Sequence, residues 1–127
     1  MSNPANCRYA ASHEWAKLEG DTATIGVTKF AVEQLTEPTF LELKKAGLTV
    51  KIGDELGIIE SVKSTSSIYA PVLGEVVEVN QAAIQNLALV NDDPFGAGWL
   101  VKIKLGPGAN LDHLLSSEQY DAQIAGH

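Results

Sequence analysis

The chain has 127 residues, 45% of them hydrophobic, and sixteen acids against nine bases give a net charge of −7. That length fits one domain with one core, and the composition belongs to a globular chain, not a disordered one. The acidic balance argues against nucleic acid and anionic membrane as partners, because phosphates need a basic face; no apolar run approaches the ~18 residues that cross a bilayer.

The opening segment, MSNPANCRYAA, lacks the charged-then-apolar order of a secretory signal and the arginine richness of an organellar presequence. Cys7 is the single cysteine, so no intramolecular disulfide is possible and a reducing compartment is the default. Residues 1–8 are expected to be loose, with Cys7 a bystander. WAKLEGDTATIGV, residues 15–27, predicts a hairpin turning at Glu19, Gly20 and Asp21. TKFAVEQL follows as a short helix N-capped by Thr28, with Phe30, Ala31 and Leu35 inward. TFLEL, residues 39–43, is a short strand that starts at a sheet edge, because Pro38 donates nothing to a ladder. LTVKIGDELGIIESV reads as a strand, a turn at Gly53-Asp54, and an apolar strand with Leu56, Ile58, Ile59 and Val62. SIYAPVLGEVVEVN gives the return strand, a break from Pro71 to Gly74, and a strand with Val76, Val77 and Val79. NQAAIQNLALVN offers a helical turn or two capped by Asn80. In WLVKIKL, Trp99, Val101, Ile103 and Leu105 alternate with Leu100, Lys102 and Lys104, which predicts one buried and one mostly wet face. Residues 110–127 form a helical tail with a capping box at Ser116 and Gln119 and a Tyr120/Ile124 stripe. Short strands parted by turn residues predict one mostly β sandwich or small barrel spanning residues 1–127, with short helices around it.

ESVKSTSSIYAP, residues 60–71, holds one of the chain's eight lysines, alone among small, hydroxylated and β-branched residues. Nothing there suits a helix, so Lys63 belongs at the tip of a hairpin, where a type I turn accepts it and serines can bond the local backbone. Spacing alone leaves two readings. One is a surface lysine that keeps a loop soluble. The other is a covalent attachment point: an enzyme that acylates one lysine among eight must read shape, and a rigid turn fixes the amine in place. A lysine amine is almost wholly protonated at neutral pH, so such an enzyme supplies both deprotonation and positioning.

ESVKSTSSIYAPVLGEVVEVN resembles the lipoyl-attachment segment of the glycine cleavage system H protein family. YAASHEW, EGDTATIGVTKFAVEQL, GIIESVKS, YAPVLGEVVEVN, LVNDDPFGAGWLVKIK and LDHLLSSEQYDA are similar to that family's segments, in the family's order, from about Tyr9 to Tyr120. The resemblance implies a barrel-sandwich hybrid fold with flanking helices, and a monomeric carrier rather than an enzyme. It implies lipoic acid, amide-linked to Lys63, as a swinging arm. The implied partners are a pyridoxal-phosphate glycine decarboxylase that loads an aminomethyl group, a tetrahydrofolate-dependent aminomethyltransferase that takes the methylene, dihydrolipoamide dehydrogenase that reoxidises the dithiol, and a lipoylating enzyme. Glu60 and Gly74 match positions used in recognition by lipoylating enzymes; Gly74 also reads as a glycine where a strand turns. Ser12 and Glu14 match the polar lining of a cleft that shelters the loaded arm. The implied compartment is the bacterial cytoplasm, or the mitochondrial matrix of a eukaryote.

Two departures stand out. The family's usual acid four residues after the lysine is Ser67 here, which implies weaker docking of the arm in its cleft. In LTEPTFLELKKAG, Thr36 replaces a common glycine, Pro38 and Thr39 replace hydrophobic strand residues, and Lys44 replaces a usual proline, which puts local strand pairing in doubt. Other readings are weaker. A biotin carrier's lysine sits between methionines, and Met1 is the only methionine. A 2-oxoacid dehydrogenase lipoyl domain would show Asp-Lys-Ala and Pro/Ala-rich linkers. HEWAK has no second histidine for a zinc HExxH pattern, and no nucleophile elbow or phosphate loop supports a free-standing enzyme; His113 and His127 read as solvated tail residues. The remaining rival is an H-like protein that carries lipoate only to relay it to other enzymes, which Ser67 slightly favours.

Overall fold

Residues 6–35 and 38–125 are described by the structure, a computed structural model. Residues 1–5, Thr36 and His127 lie outside the described residues, as does the side chain of Leu35. The mostly β expectation holds. The strands are β1 (Arg8–Tyr9), β2 (Glu14–Glu19), β3 (Thr22–Val27), β4 (Pro38–Leu43), β5 (Thr49–Val50), β6 (Glu55–Ser61), β7 (Thr65–Tyr69), β8 (Gly74–Val79) and β9 (Val101–Leu105). The helices are α1 (Lys29–Leu35), α2 (Gln81–Gln85), α3 (Ala88–Asp92) and α4 (Ser117–Ile124).

One sheet has the order β1-β2-β3-β9-β8-β5 and the other β4-β6-β7, and every pairing is antiparallel. The architecture is a sandwich of two open sheets. Its core runs through Ile25, Leu41, Leu56, Ile59, Ile68, Val76, Leu100 and Ile103. Apart from Leu100, just before β9, these residues lie on the strands and turn inward, the register shift in β6 bringing both Leu56 and Ile59 to the core. A second, smaller cluster joins Cys7, Tyr9, Trp15 and Tyr120, with Phe95, Leu115 and Ile124 against it.

Local rules explain much of this. The β2–β3 hairpin turns through Gly20 and Asp21, with Gly20 at φ 65°. Such a positive φ suits glycine and matches the twist of a two-residue connection. Thr28 caps α1 as expected, its Oγ1 accepting from Ala31 N at 3.2 Å. The α4 capping box forms: Gln119 N donates to Ser116 Oγ at 3.2 Å, and Ser116 N to Gln119 Oε1 at 2.9 Å.

Several expectations need correction. Cys7 is buried and Arg8–Tyr9 pair with Ala16 and Trp15, so the chain is held from Cys7 on and not loose through residue 8. Val32, not expected inward, is fully buried in α1, while Phe30 and Ala31 are half-buried. Asn80 makes no side-chain cap on α2. Its amide instead donates to the Ala97 and Trp99 carbonyls at 2.9 and 2.7 Å, tying the α3–β9 loop to the end of β8. The alternation in WLVKIKL fails at its start, where Leu100 is buried and Trp99 half-buried beneath the Lys102 ammonium. Among the described residues of the tail, the helix covers Ser117–Ile124. His113 is more than a solvated residue, since its Nε2 lies 2.6 Å from the Pro71 carbonyl. The strand pairing doubted around Pro38 is intact apart from a register shift between Pro38 and Phe40, and β4 is an edge strand as Pro38 requires.

Candidate functional site

The β6–β7 hairpin presents Lys63. Ser61 closes its tip: Ser61 N donates to Ser64 O at 2.8 Å, and Ser61 Oγ accepts from Lys63 N at 3.3 Å and Ser64 N at 3.2 Å. A serine oxygen thus stands in for the carbonyl of an ordinary turn. The backbone of Val62 and Lys63 is held while both side chains leave the fold. Lys63 is exposed, and Val62, expected within the apolar strand, is 86% exposed beside it. Glu60 lies one pair below the tip, opposite Thr65, whose hydroxyl donates to Glu60 Oε1 at 3.3 Å.

Behind this hairpin lies a cavity of about 180 Å³, walled by Ser12, His13 and Glu14, by Val27, Ala31 and Gln34 from β3 and α1, and by Ile59, Ser64, Ser66, Ser67 and Ile68 from the hairpin. Ser12, Glu14 and Ser67, proposed on sequence as cleft residues, therefore share one wall system with the back of the lysine turn. Glu14 is only 2% exposed. Its Oε1 accepts from Ser12 Oγ and its Oε2 from Tyr69 N at 3.1 Å, so one carboxylate bridges the two sheets. The hydroxyl of Ser67 donates to Glu55 Oε2 at 3.0 Å. Strand alternation sets Ser66 on the same side of β7 as the buried Ile68, and Ser66, itself exposed, and the half-buried Ser67 both line the cavity.

Gly74 lies apart from this group, at the start of β8 in the larger sheet, paired with Val50 and Leu105. A Cβ there would overlap the Lys104 carbonyl and lie 2.7 Å from Ile103 Cγ2. Sequence reasoning missed His13, Gln34 and Ser66 as lining. Alternation along β7 was a usable signal for Ser66; nothing local brings His13 or Gln34 to the hairpin.

Burial holds the Glu14 carboxyl above its ordinary value of 4.5, with the Ser12 and Tyr69 donors opposing it. A raised value means that the folded protein holds this proton more tightly than the unfolded chain does. The associated stability is complete at pH below the ordinary carboxylate value and is lost as pH rises through the raised one. Urea midpoints at about pH 4 and pH 7 check this: the stability of the protein relative to Glu14→Gln should fall between the two. A difference that stays constant or grows would show that the two hydrogen bonds outweigh burial.

The Glycine cleavage H-protein family matches residues 7–127. A glycine cleavage system H protein of Dinoroseobacter shibae is 51% identical over 116 residues, 91% of this chain and 95% of that relative. One of Alcanivorax borkumensis is 47% identical over 121 residues, 95% of this chain and 94% of that relative. The crystal structure of a glycine cleavage system H protein from Mycobacterium marinum superposes with a TM-score of 0.89 at 36% identity, covering 97% of this chain and 99% of that one.

Proposed function

The chain belongs to the glycine cleavage H-protein family, and from that premise we propose that it is the lipoylated shuttle of a glycine cleavage system, with lipoate amide-linked to Lys63 Nζ. The observation that carries the assignment is the pairing of an exposed lysine on a braced tip with a cavity walled by the same hairpin. When attached, lipoate supplies a dithiolane whose two sulfurs take up carbon and electrons in turn.

The chain's own residues do the rest. The serine-braced turn holds Lys63 clear of the fold, where a lipoylating enzyme reaches it, and the tether keeps the reactive end at high local concentration for each partner. Glu60 beside the tip offers that enzyme a charged marker. Inside the cavity, Glu14 presents a fixed negative charge suited to an ammonium group, and Val27, Ala31, Ile59 and Ile68 exclude water around it. The partners are the glycine decarboxylase, the aminomethyltransferase, dihydrolipoamide dehydrogenase and the lipoylating enzyme. We take the protein to act as a monomer, and, its relatives being bacterial, in the cytoplasm.

The relay reading is favoured by one observation, the absence of charge at Ser67. Incubation of the lipoylated protein with glycine decarboxylase and carbon-labelled glycine separates the two. The shuttle carries label on the peptide containing Lys63. A protein that stays unlabelled, yet gives up its lipoate to a second lipoyl protein, is a relay.

A further inference from the structure

His13 has a φ of 77°, the only positive value among the described non-glycine residues, and it separates Ser12 from Glu14. A residue other than glycine rests there only when its surroundings over-determine it. Three hydrogen bonds and a ring contact do so. His13 N donates to Ala10 O at 2.9 Å, and His13 O accepts from Thr28 N at 3.0 Å. Its ring, packed 4.9 Å from Phe30, sets Nδ1 2.7 Å from the Tyr120 hydroxyl. That same hydroxyl lies 2.7 Å from Thr28 Oγ1, the cap of α1. Tyr120 belongs to α4, and its ring stacks on Tyr9 at 4.8 Å. Burial pushes its hydroxyl up to about 12, so it stays protonated at neutral pH.

We propose that Tyr120 is a positioning residue: its hydroxyl pins the His13 ring and the cap of α1 together, and so fixes Ser12 and Glu14 against the edge of β7. The proposal rests on the cleft reading above for its functional consequence, but not for its geometry. Two of the cavity walls, the 12–14 loop and α1 with Ala31 and Gln34, meet at this one phenol. Ser12 and Glu14 touch the cavity; Tyr120 acts on it only through His13 and Thr28.

The geometry is read first in the unlipoylated chain, by hydrogen exchange of the Tyr69 amide, which donates to Glu14. Tyr120→Phe keeps the stacked ring and removes the hydroxyl. It should speed Tyr69 exchange about fivefold more than it speeds exchange in the core strand β9, the size expected for one lost hydrogen bond. His13→Gly keeps the positive φ without strain and removes the ring; in that background, with only the Thr28 contact left, Tyr120→Phe should speed Tyr69 exchange clearly less than it does in the parent. Equal Tyr69 rates in the protein and Tyr120→Phe, or an undiminished effect in His13→Gly, overturn the proposal. The second reading is hydrolysis of the aminomethyl-loaded lipoyl protein, which consumes water and releases ammonia and formaldehyde. A matching acceleration in Tyr120→Phe supports both the strut and the cleft. Faster Tyr69 exchange with unchanged hydrolysis upholds the strut and overturns the cleft as the arm's shelter.

Discussion

Lys63→Arg leaves the protein without its lipoyl mass increment and reduces transfer of glycine carbon to background, while its thermal midpoint stays within about 2 °C. The separation follows from the geometry. Lys63 is exposed, and only its backbone N–H contributes to the turn, through Ser61 Oγ. Surface substitutions of that kind shift stability by about 0.5 kcal/mol or less, a small change in midpoint for a chain of this size. Arginine keeps the charge and reach but stays protonated, so it offers no lone pair for acylation. Lys51 is the control, being exposed and beside the β5–β6 turn. There the turn is closed by Asp54 Oδ2 accepting from Lys51 N at 2.8 Å, and Lys51 is not among the residues on the hairpin that walls the Lys63 cavity. Lys51→Arg should be lipoylated as fully as the parent. Intact mass and peptide mapping decide the matter; a lipoyl increment that survives Lys63→Arg would end the assignment.

Gly74→Ala should lower stability by about 3 kcal/mol, at the upper end of what one added methyl costs in a packed site, and the midpoint by roughly 10 °C. The added carbon has nowhere to go. It would overlap the Lys104 backbone carbonyl, which β8–β9 pairing holds in place, and press on Ile103 Cγ2 at 2.7 Å. Neither is the free end of a flexible side chain. This effect also separates the two readings of Gly74. If the glycine serves packing, the variant is lipoylated at the parent's rate at temperatures well below its new midpoint. A variant of unchanged stability that resists lipoylation would make Gly74 a recognition residue and refute the packing argument.

The features legible in the sequence are those fixed within a few residues. The Gly20-Asp21 turn, the Thr28 cap, the Ser116–Gln119 box and the hairpin carrying Lys63 each follow from local backbone chemistry. Grouping of Ser12, Glu14 and Ser67 came from family resemblance, and spacing would not have supplied it. What escaped is mostly set by distant parts of the chain, with Val62 the local exception. Val62 continues an apolar pattern, yet Ser61 ends the strand one residue earlier and turns Val62 outward. Asn80 has a good capping composition, but two carbonyls seventeen and nineteen residues away claim its amide. The Tyr120 hydroxyl meets His13 across 107 residues; an i, i+4 stripe shows that Tyr120 faces inward and says nothing of what its oxygen meets.

The small cluster of Cys7, Tyr9, Trp15 and Tyr120 draws on both ends of the chain, and Tyr9 exchanges two backbone hydrogen bonds with Leu115, at 2.8 and 2.7 Å. During synthesis, which runs from the first residue to the last, the β6–β7 hairpin is complete while the final helix is still inside the ribosome. The Ser12–Glu14 wall has to wait for that helix. If Lys63 is the acceptor amine proposed above, a nascent polypeptide offers it before the Ser12–Glu14 wall is in place, and the cofactor is installed ahead of the proposed shelter.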